Sequence, residues 1–266
     1  MQQSADFWEE NEVLAAALGS LDDWTRPTQF KGWTVNDVMV HLHFWNEVAD
    51  LSLTAPSRFD ALMAQAMPAI QQAGMRPFEN AHVTERGPAL LAAWQDRLAD
   101  MAPRWHDIDP KARLRWAGPD MSARSMMTAR QMETWAHGQE IFDLIGQPQP
   151  QSDRIRNIVV LGVNTFGWAH KVHGLPVPEQ MPQLHLTAPS GAVWTYGDSA
   201  SPDQITGDAV AFAQIVTQTR NIADTALAVH GPTATQWMAI AQCFAGPPET
   251  PPAPGTRFRQ PEGQTT

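Results

Sequence analysis

Residues 130–146, "RQMETWAHGQEIFDLIG", decide how the chain is read, because one kind of organisation ends there and another begins. Helical spacing predicts a long helix over 123–145. Gly146 is placed to be its C′ residue, where the backbone turns left-handed and glycine is favoured. "GQPQPQSD" (146–153) follows and reads as a linker, since alternating Pro and Gln cannot continue a helix. Within the helix, Glu133 and His137 stand at i and i+4, so their side chains stack on one face a turn apart. Ala129, Ile141 and Leu144 lie near the same stripe, which makes that face apolar and inward-looking. A carboxylate buried there is costly unless it is paired, hydrogen-bonded or bound to a cation. Both groups are good ligands for zinc or a similar divalent ion. A Glu–His pair at this spacing also arises by chance, so at this level both readings stand.

Working back from that helix, the N-terminal part is helical throughout. Segment 4–18 carries Phe7, Val13, Leu14 and Leu18 at helical spacing with acidic residues between them. In "FKGWTVNDVMVHLHFWNEVADL" (30–51), Thr34 with Asp37 three residues on has the pattern of a capping box, so a helix is expected to start there and run to about residue 53. Further helices are expected over 57–75, where Pro68 bends or divides the element, and over 84–102. The stretch 104–122, with Trp105 and Trp116, is turn-rich.

Beyond the linker the pattern changes. Residues 153–173 are expected to be helical. "QLHLTAPSGAVWTYGD" (183–198) alternates around a Pro-Ser-Gly turn, as a β-hairpin does. Segments 207–219 and 232–244 read as helices and 225–231 as a strand. The last 20 residues hold six prolines and are expected to form an extended tail without packing. The fold class is therefore mainly α with an α+β C-terminal part. An up-and-down helical bundle is expected over 1–148, a smaller α+β domain over 149–246 and the Pro-rich tail over 247–266.

Composition narrows the function. The 266 residues are 43% hydrophobic and carry a formal net charge of −10, with 28 acidic against 18 basic residues. That balance argues against a nucleic-acid backbone or an anionic membrane as partner, since no excess of cations is present to replace counterions. The one cysteine, Cys243, can form no internal disulfide, which fits a reducing compartment. "MQQSADFWEENEV" lacks the basic segment and apolar run of a signal peptide, and no apolar run approaches the roughly 20 residues that span a bilayer. A soluble cytoplasmic protein is the expectation. Eleven Trp against one Tyr is unusual, but bulky rings ordinarily fill cores.

Other candidate groups follow from the helix faces. His41 shares a face with Val38, Trp45 and Val48 and points inward. His43 lies about 200° away, beside Asn36, Glu47 and Asp50, on the expected solvent side. An inward His41 is either a ligand or a core imidazole donating to a backbone carbonyl. His82 and His106 are expected in or near loops. His170 and His173 are a second i,i+3 pair near a helix end, where imidazoles complement the dipole, and His185 and His230 fall in strands. No Gly-x-Ser-x-Gly or phosphate-cradling glycine loop is present, and Cys243 is expected to pack in a core helix.

Together, "GWTVNDVMVHL" and the later "RQMETWAHGQEIFDLIG" resemble the DinB/YfiT-like metal-binding four-helix bundles, above all the branch that includes mycothiol-dependent maleylpyruvate isomerases. The resemblance implies that His41, Glu133 and His137 hold a divalent metal, zinc most often and nickel as the other candidate. It implies a sterol-carrier-protein-like second domain, with Arg220 as the cation facing the site. Glu140, one turn beyond His137, is either a group that orients a ligand or moves a proton, or a surface acid. The implied activity is that of a thiol-using isomerase or S-transferase acting on a small electrophile, as a monomer or homodimer. The partners are then a small-molecule substrate and a low-molecular-weight thiol. The alternatives are a non-catalytic or stress-associated metal-binding module and a zinc–water hydrolase.

Overall fold

The computed structural model of the protein describes residues 1–261. It divides into two compact units, Met1–Ile141 and a second beginning at Phe142, inside the last long helix of the N-terminal half.

The first unit is helical. α1 (Gln2–Leu18), α2 (Val35–Thr54), α5 (Gly87–Asp107) and α6 (Ala123–Ile145) are its long helices, with α3 (Pro56–Ala73) and α4 (Met75–His82) between α2 and α5. The capping box at the head of α2 forms as the sequence predicts. The Thr34 hydroxyl accepts the Asp37 N–H at 3.1 Å, and Asp37 accepts the Thr34 N–H at 2.9 Å. α5 packs on α1 and α2, and α2 also packs on α3 and α4. The core between them is large, with Leu14, Val38, Leu42, Trp94 and Trp105 buried. Asp50 fastens α2 to α5 by accepting from Arg104 Nε at 2.7 Å and Trp105 Nε1 at 2.9 Å. A two-residue antiparallel ribbon, β1 (Arg113–Leu114) with β2 (Met121–Ser122), leads into α6.

Three expectations fail in this unit. The helix expected over 57–75 forms as α3, but Pro68 sits inside it without dividing it, and beyond Gly74 (φ 85°) an unexpected helix, α4, ends at His82. Helix α5 continues to Asp107, taking His106 with it. His43 is only 7% exposed. A helix covered by α3, α4 and α5 has no solvent face at that position, and the polar neighbours Glu47 and Asp50 are held by cations of α5, Arg97 and Arg104.

The second unit opens with the end of α6. Gly146 adopts φ 78° and Gln147 N–H returns to Phe142 O, as a C′ glycine permits. A 3-10 turn (Asp153–Ile155), α7 (Arg156–Asn164) and α8 (Phe166–Val172) follow. Then come β3 (Gln183–Thr187), β4 (Val193–Tyr196), β5 (Gln204–Asp208), α9 (Ala209–Val216), a second 3-10 turn (Ile222–Asp224), β6 (Ala228–His230) and α10 (Pro232–Ile240). The sheet order is β4-β3-β5-β6. β3 and β4 form the expected hairpin, with Leu184 opposite Tyr196 and Leu186 opposite Trp194. β5, which the sequence did not announce, runs parallel to β3 and takes the first two residues of the helix expected over 207–219, so α9 begins at Ala209, capped by the Asp208 carboxylate, and ends at Val216. Cys243 is buried but lies beyond α10, with its N–H bonded to Val216 O.

The proline-rich segment forms no helix or strand through residue 261 and buries none of its residues, as an extended tail would, but it is tied back by hydrogen bonds. Gln218 Nε2 donates to Glu249 O, Asn221 Nδ2 to Pro252 O, Gly255 N–H to Asp224, and Gln260 N–H to Asp143 O. These bonds replace the apolar burial that a proline-rich sequence lacks. The rest of that segment, 262–266, is outside the described residues.

Candidate metal centre

His41, Glu133 and His137 come together, each offering a ligand atom that lies within 4.8 Å of the others. α2 supplies His41 from a face that is buried, and α6 supplies Glu133 and His137 from successive turns. Glu133 Oε2 stands between the two imidazoles, 3.5 Å from His41 Nε2 and 3.6 Å from His137 Nε2. The His41 and His137 rings are 5.0 Å apart. About a quarter of the Glu133 side chain is exposed, while the two imidazoles are about nine-tenths buried.

The segment before α2 closes over these rings. Thr28 N–H bonds to Trp33 O at 2.7 Å and Trp33 N–H to Phe30 O at 2.9 Å. This tight turn needs positive φ at Lys31 (52°) and Gly32 (66°), and glycine meets that need without strain. It brings Phe30 edge-on to His137 at 5.0 Å and lays Trp33 flat on His137 at 5.9 Å.

The other nitrogen of His41 is also held. Nδ1 lies 2.9 Å from Glu79 Oε1, and the same oxygen accepts from Trp45 Nε1 at 2.6 Å. Glu79 belongs to α4 and is fully buried. Arg130, one turn before Glu133 on α6, is 2% exposed and donates from Nε to Asn46 Oδ1 at 2.9 Å. Burial pulls its guanidinium down to about 10, against the pull of Glu133 and Glu79.

The electrostatics of the cluster favour positive charge. Burial opposes a charge on His41, but Glu79 and Glu133 outweigh it and raise the imidazole to about 9. Burial likewise opposes the Glu133 anion, yet the His41 hydrogen bond and the His41, His137 and Arg130 charges hold it down to about 2. Two imidazoles and a carboxylate, converging under a field that favours a cation, fit a zinc-like divalent ion in donor type and number.

The remaining candidates have surroundings of their own. Glu140 is buried, which removes the surface-acid alternative, and the three-residue cluster does not include it. Arg220 is paired through both terminal nitrogens with Asp143, each at 2.7 Å, and also donates to Thr219 O. His43 is buried and held neutral, pushed down to about 4 by burial and by Arg97. His82 and Arg97 both approach Glu47, at 3.5 and 3.4 Å, and His106 approaches Asp107. His170 and His173 contact the backbone carbonyls of Phe166 and Ala169 through Nδ1, and His185 and His230 are exposed in β3 and β6.

The sequence reading passed over Glu79, Phe30, Trp33 and Arg130 as members of this region. No clean signal marks Glu79: Met75 and Val83 stand four residues either side of it, but Arg76 and His82 share its helix face.

Comparison with known proteins identifies the family and the fold. Residues 5–142 match the family described as the mycothiol maleylpyruvate isomerase N-terminal domain. Uncharacterized proteins from two strains of Mycobacterium tuberculosis are 36% identical over 247 residues, covering 92% of this chain and 95% of theirs. The crystal structure of a mycothiol-dependent maleylpyruvate isomerase covers 80% of this chain and 87% of its own, with a TM-score of 0.52 and 16% identity. A mutant of a mycothiol-dependent maleylpyruvate isomerase matches with a TM-score of 0.53 and 15% identity over the same shares. At such identities the likeness to the solved structures is one of fold. The sequence matches go further: this chain belongs to the family of proteins built on the mycothiol maleylpyruvate isomerase N-terminal domain.

Proposed function

We propose that His41, Glu133 and His137 hold a divalent metal, zinc first, and that the protein is a thiol-using isomerase or S-transferase acting on a small electrophile. The observation that carries this reading is the convergence of three ligand atoms from two helices within 4.8 Å. Among the described residues the group numbers three His, Cys, Asp or Glu side chains. Structural zinc sites ordinarily have four protein ligands, whereas catalytic ones have three and keep a position open. The name of the solved relatives adds mycothiol as the thiol and maleylpyruvate as the electrophile to try first.

The chain's own groups have distinct tasks. With a metal displacing the Nε2 proton, His41 and His137 would supply neutral donors through Nε2, and Glu133 would supply the one negative charge between them. Phe30 and Trp33 cover His137 and keep water from that ring. Arg130 places a buried positive charge near Glu133 and Glu79, which offsets part of the negative charge of the two carboxylates. A divalent cation held there supplies Lewis acidity and lowers the pKa of a thiol or water at its open position.

The experiment pairs metal content with turnover. Elemental analysis of the purified protein is expected to show one divalent metal per chain and a sharp fall in His41→Ala. Unchanged content in that variant overturns the ligand assignment. Assays with mycothiol and other low-molecular-weight thiols against maleylpyruvate and related electrophiles test the reaction. A metal-loaded protein inactive with every pair favours the non-catalytic reading.

A further inference from the structure

We propose that Glu79 is a positioning residue for the metal centre. It fixes His41 with a proton on Nδ1 and the Nε2 lone pair aimed at the metal. The inference rests on the metal-site reading and deepens it.

A carboxylate oxygen can only accept hydrogen bonds, and Trp45 Nε1 can only donate. Glu79 Oε1 therefore takes the Trp45 N–H at 2.6 Å and, on its other side, the Nδ1–H of His41 at 2.9 Å. That arrangement leaves Nε2 as the lone-pair nitrogen of a neutral His41, and Nε2 is the atom that faces Glu133 at 3.5 Å. A carboxylate behind an imidazole ligand also raises its basicity and locks the ring's rotation.

Two features separate this role from ordinary packing. First, Glu79 is 0% exposed, and its second oxygen, Oε2, has no hydrogen-bond partner. A group present only to fill space would be apolar, because burying a half-satisfied carboxylate is unfavourable. Second, α4 is tied to the start of α2, which makes the approach of Glu79 rigid. Asn80, the next residue, donates from Nδ2 to Asp37 Oδ1 at 3.0 Å and accepts from Arg86 at 2.6 Å. The short helix thus holds one acid against the imidazole of α2.

The test compares metal affinity and ligand geometry in wild type, His41→Ala and Glu79→Gln, using Co²⁺ and Zn²⁺ in chelator-competition titrations and the visible spectrum of the cobalt form. Glu79→Gln preserves shape and removes the charge. It is expected to weaken metal binding by about 10–100-fold and to alter the cobalt bands while the metal-free fold persists by circular dichroism. If wild type binds no metal, or His41→Ala binds as wild type does, the site reading itself fails. If wild type binds and His41→Ala does not, but Glu79→Gln keeps wild-type affinity and spectrum, only the role of Glu79 is overturned. Should Glu79→Gln not fold, Glu79→Asp carries the test, since it keeps the charge but draws the oxygens back by one methylene. A loss of roughly tenfold is expected there, and unchanged affinity and spectrum overturn the proposal.

Discussion

Trp33 lies almost parallel to His137, with 7° between the ring planes and 5.9 Å between the centroids, and it meets His41 at 5.5 Å. One side chain from a tight turn therefore touches both imidazoles of the cluster. Packing against α2 and α6 alone would leave one side of each ring without that contact.

Replacing Trp33 by Ala should loosen both rings. Aromatic contacts of this kind contribute about 0.5–1.5 kcal/mol each. Zinc affinity in Trp33→Ala is accordingly expected to fall by up to roughly tenfold, and less in Trp33→Phe. Chelator-competition titration measures both.

Metal should stabilise the first unit through mass action. With free zinc at about 100 times its dissociation constant, the native state gains about 2.7 kcal/mol. Thermal melts are expected to rise on adding zinc and to return on adding a chelator. Glu133→Gln, which keeps the shape of the ligand, should show little of that shift.

Acid stability is expected to depend on Asp37. Burial acts to raise its pKa, but the Thr34 backbone and hydroxyl hydrogen bonds, with Asn80 and Arg76, hold it below its ordinary value of 3.8. Such a group contributes stability that is fully present above the unfolded value and is lost as pH falls through the lower, folded one. Asp37→Asn should cost up to about 1 kcal/mol at neutral pH, because the charged half of the capping box and its interaction with the helix N-terminus are lost while the Thr34 cap bond stays. The gap to wild type should narrow below about pH 4. Urea denaturation from neutral pH down to about pH 3 reads this directly.

Asp143 and Arg220 make a buried two-pronged ion pair within the second unit, the carboxylate side chain 2% and the guanidinium 12% exposed. Removing one partner leaves a buried charge uncompensated, so Arg220→Ala is expected to destabilise that unit by about 3–5 kcal/mol. Asp143→Ala combined with Arg220→Ala should cost less than the sum of the single changes. A double-mutant cycle by chemical denaturation checks the coupling, and strict additivity would show that the pair contributes nothing as a pair.

Much of the site was legible because helix geometry is local. The spacing of Glu133 and His137 places them on one face whatever surrounds the helix, and the Val38–His41–Trp45 stripe orients His41 in the same way. Thr34 and Asp37 announce the start of α2 through bonds that close within four residues. His43 was misread because the same geometry says only that it opposes His41. It cannot say that α3, α4 and α5 together leave that side of α2 without solvent. β5 was hidden because five residues pairing in parallel with β3 carry no turn signal of their own. The folding back of the proline-rich segment depends on side-chain amides more than thirty residues earlier, at Gln218 and Asn221.

The sequence by itself determined the helices of the first unit that carry His41, Glu133 and His137, where α2 and α6 begin and end, and the helix faces on which these residues stand. Those features follow from capping and a 3.6-residue period acting over short distances, whereas the grouping of the three residues as a ligand set rests on the family resemblance. Only the tertiary structure decided what lies behind and above the ligands. Glu79 reaches His41 across 38 residues, and Trp33 reaches His137 across the whole span from the turn before α2 to α6. Those contacts depend on which helix packs against which, a property of the assembled core that no local period encodes.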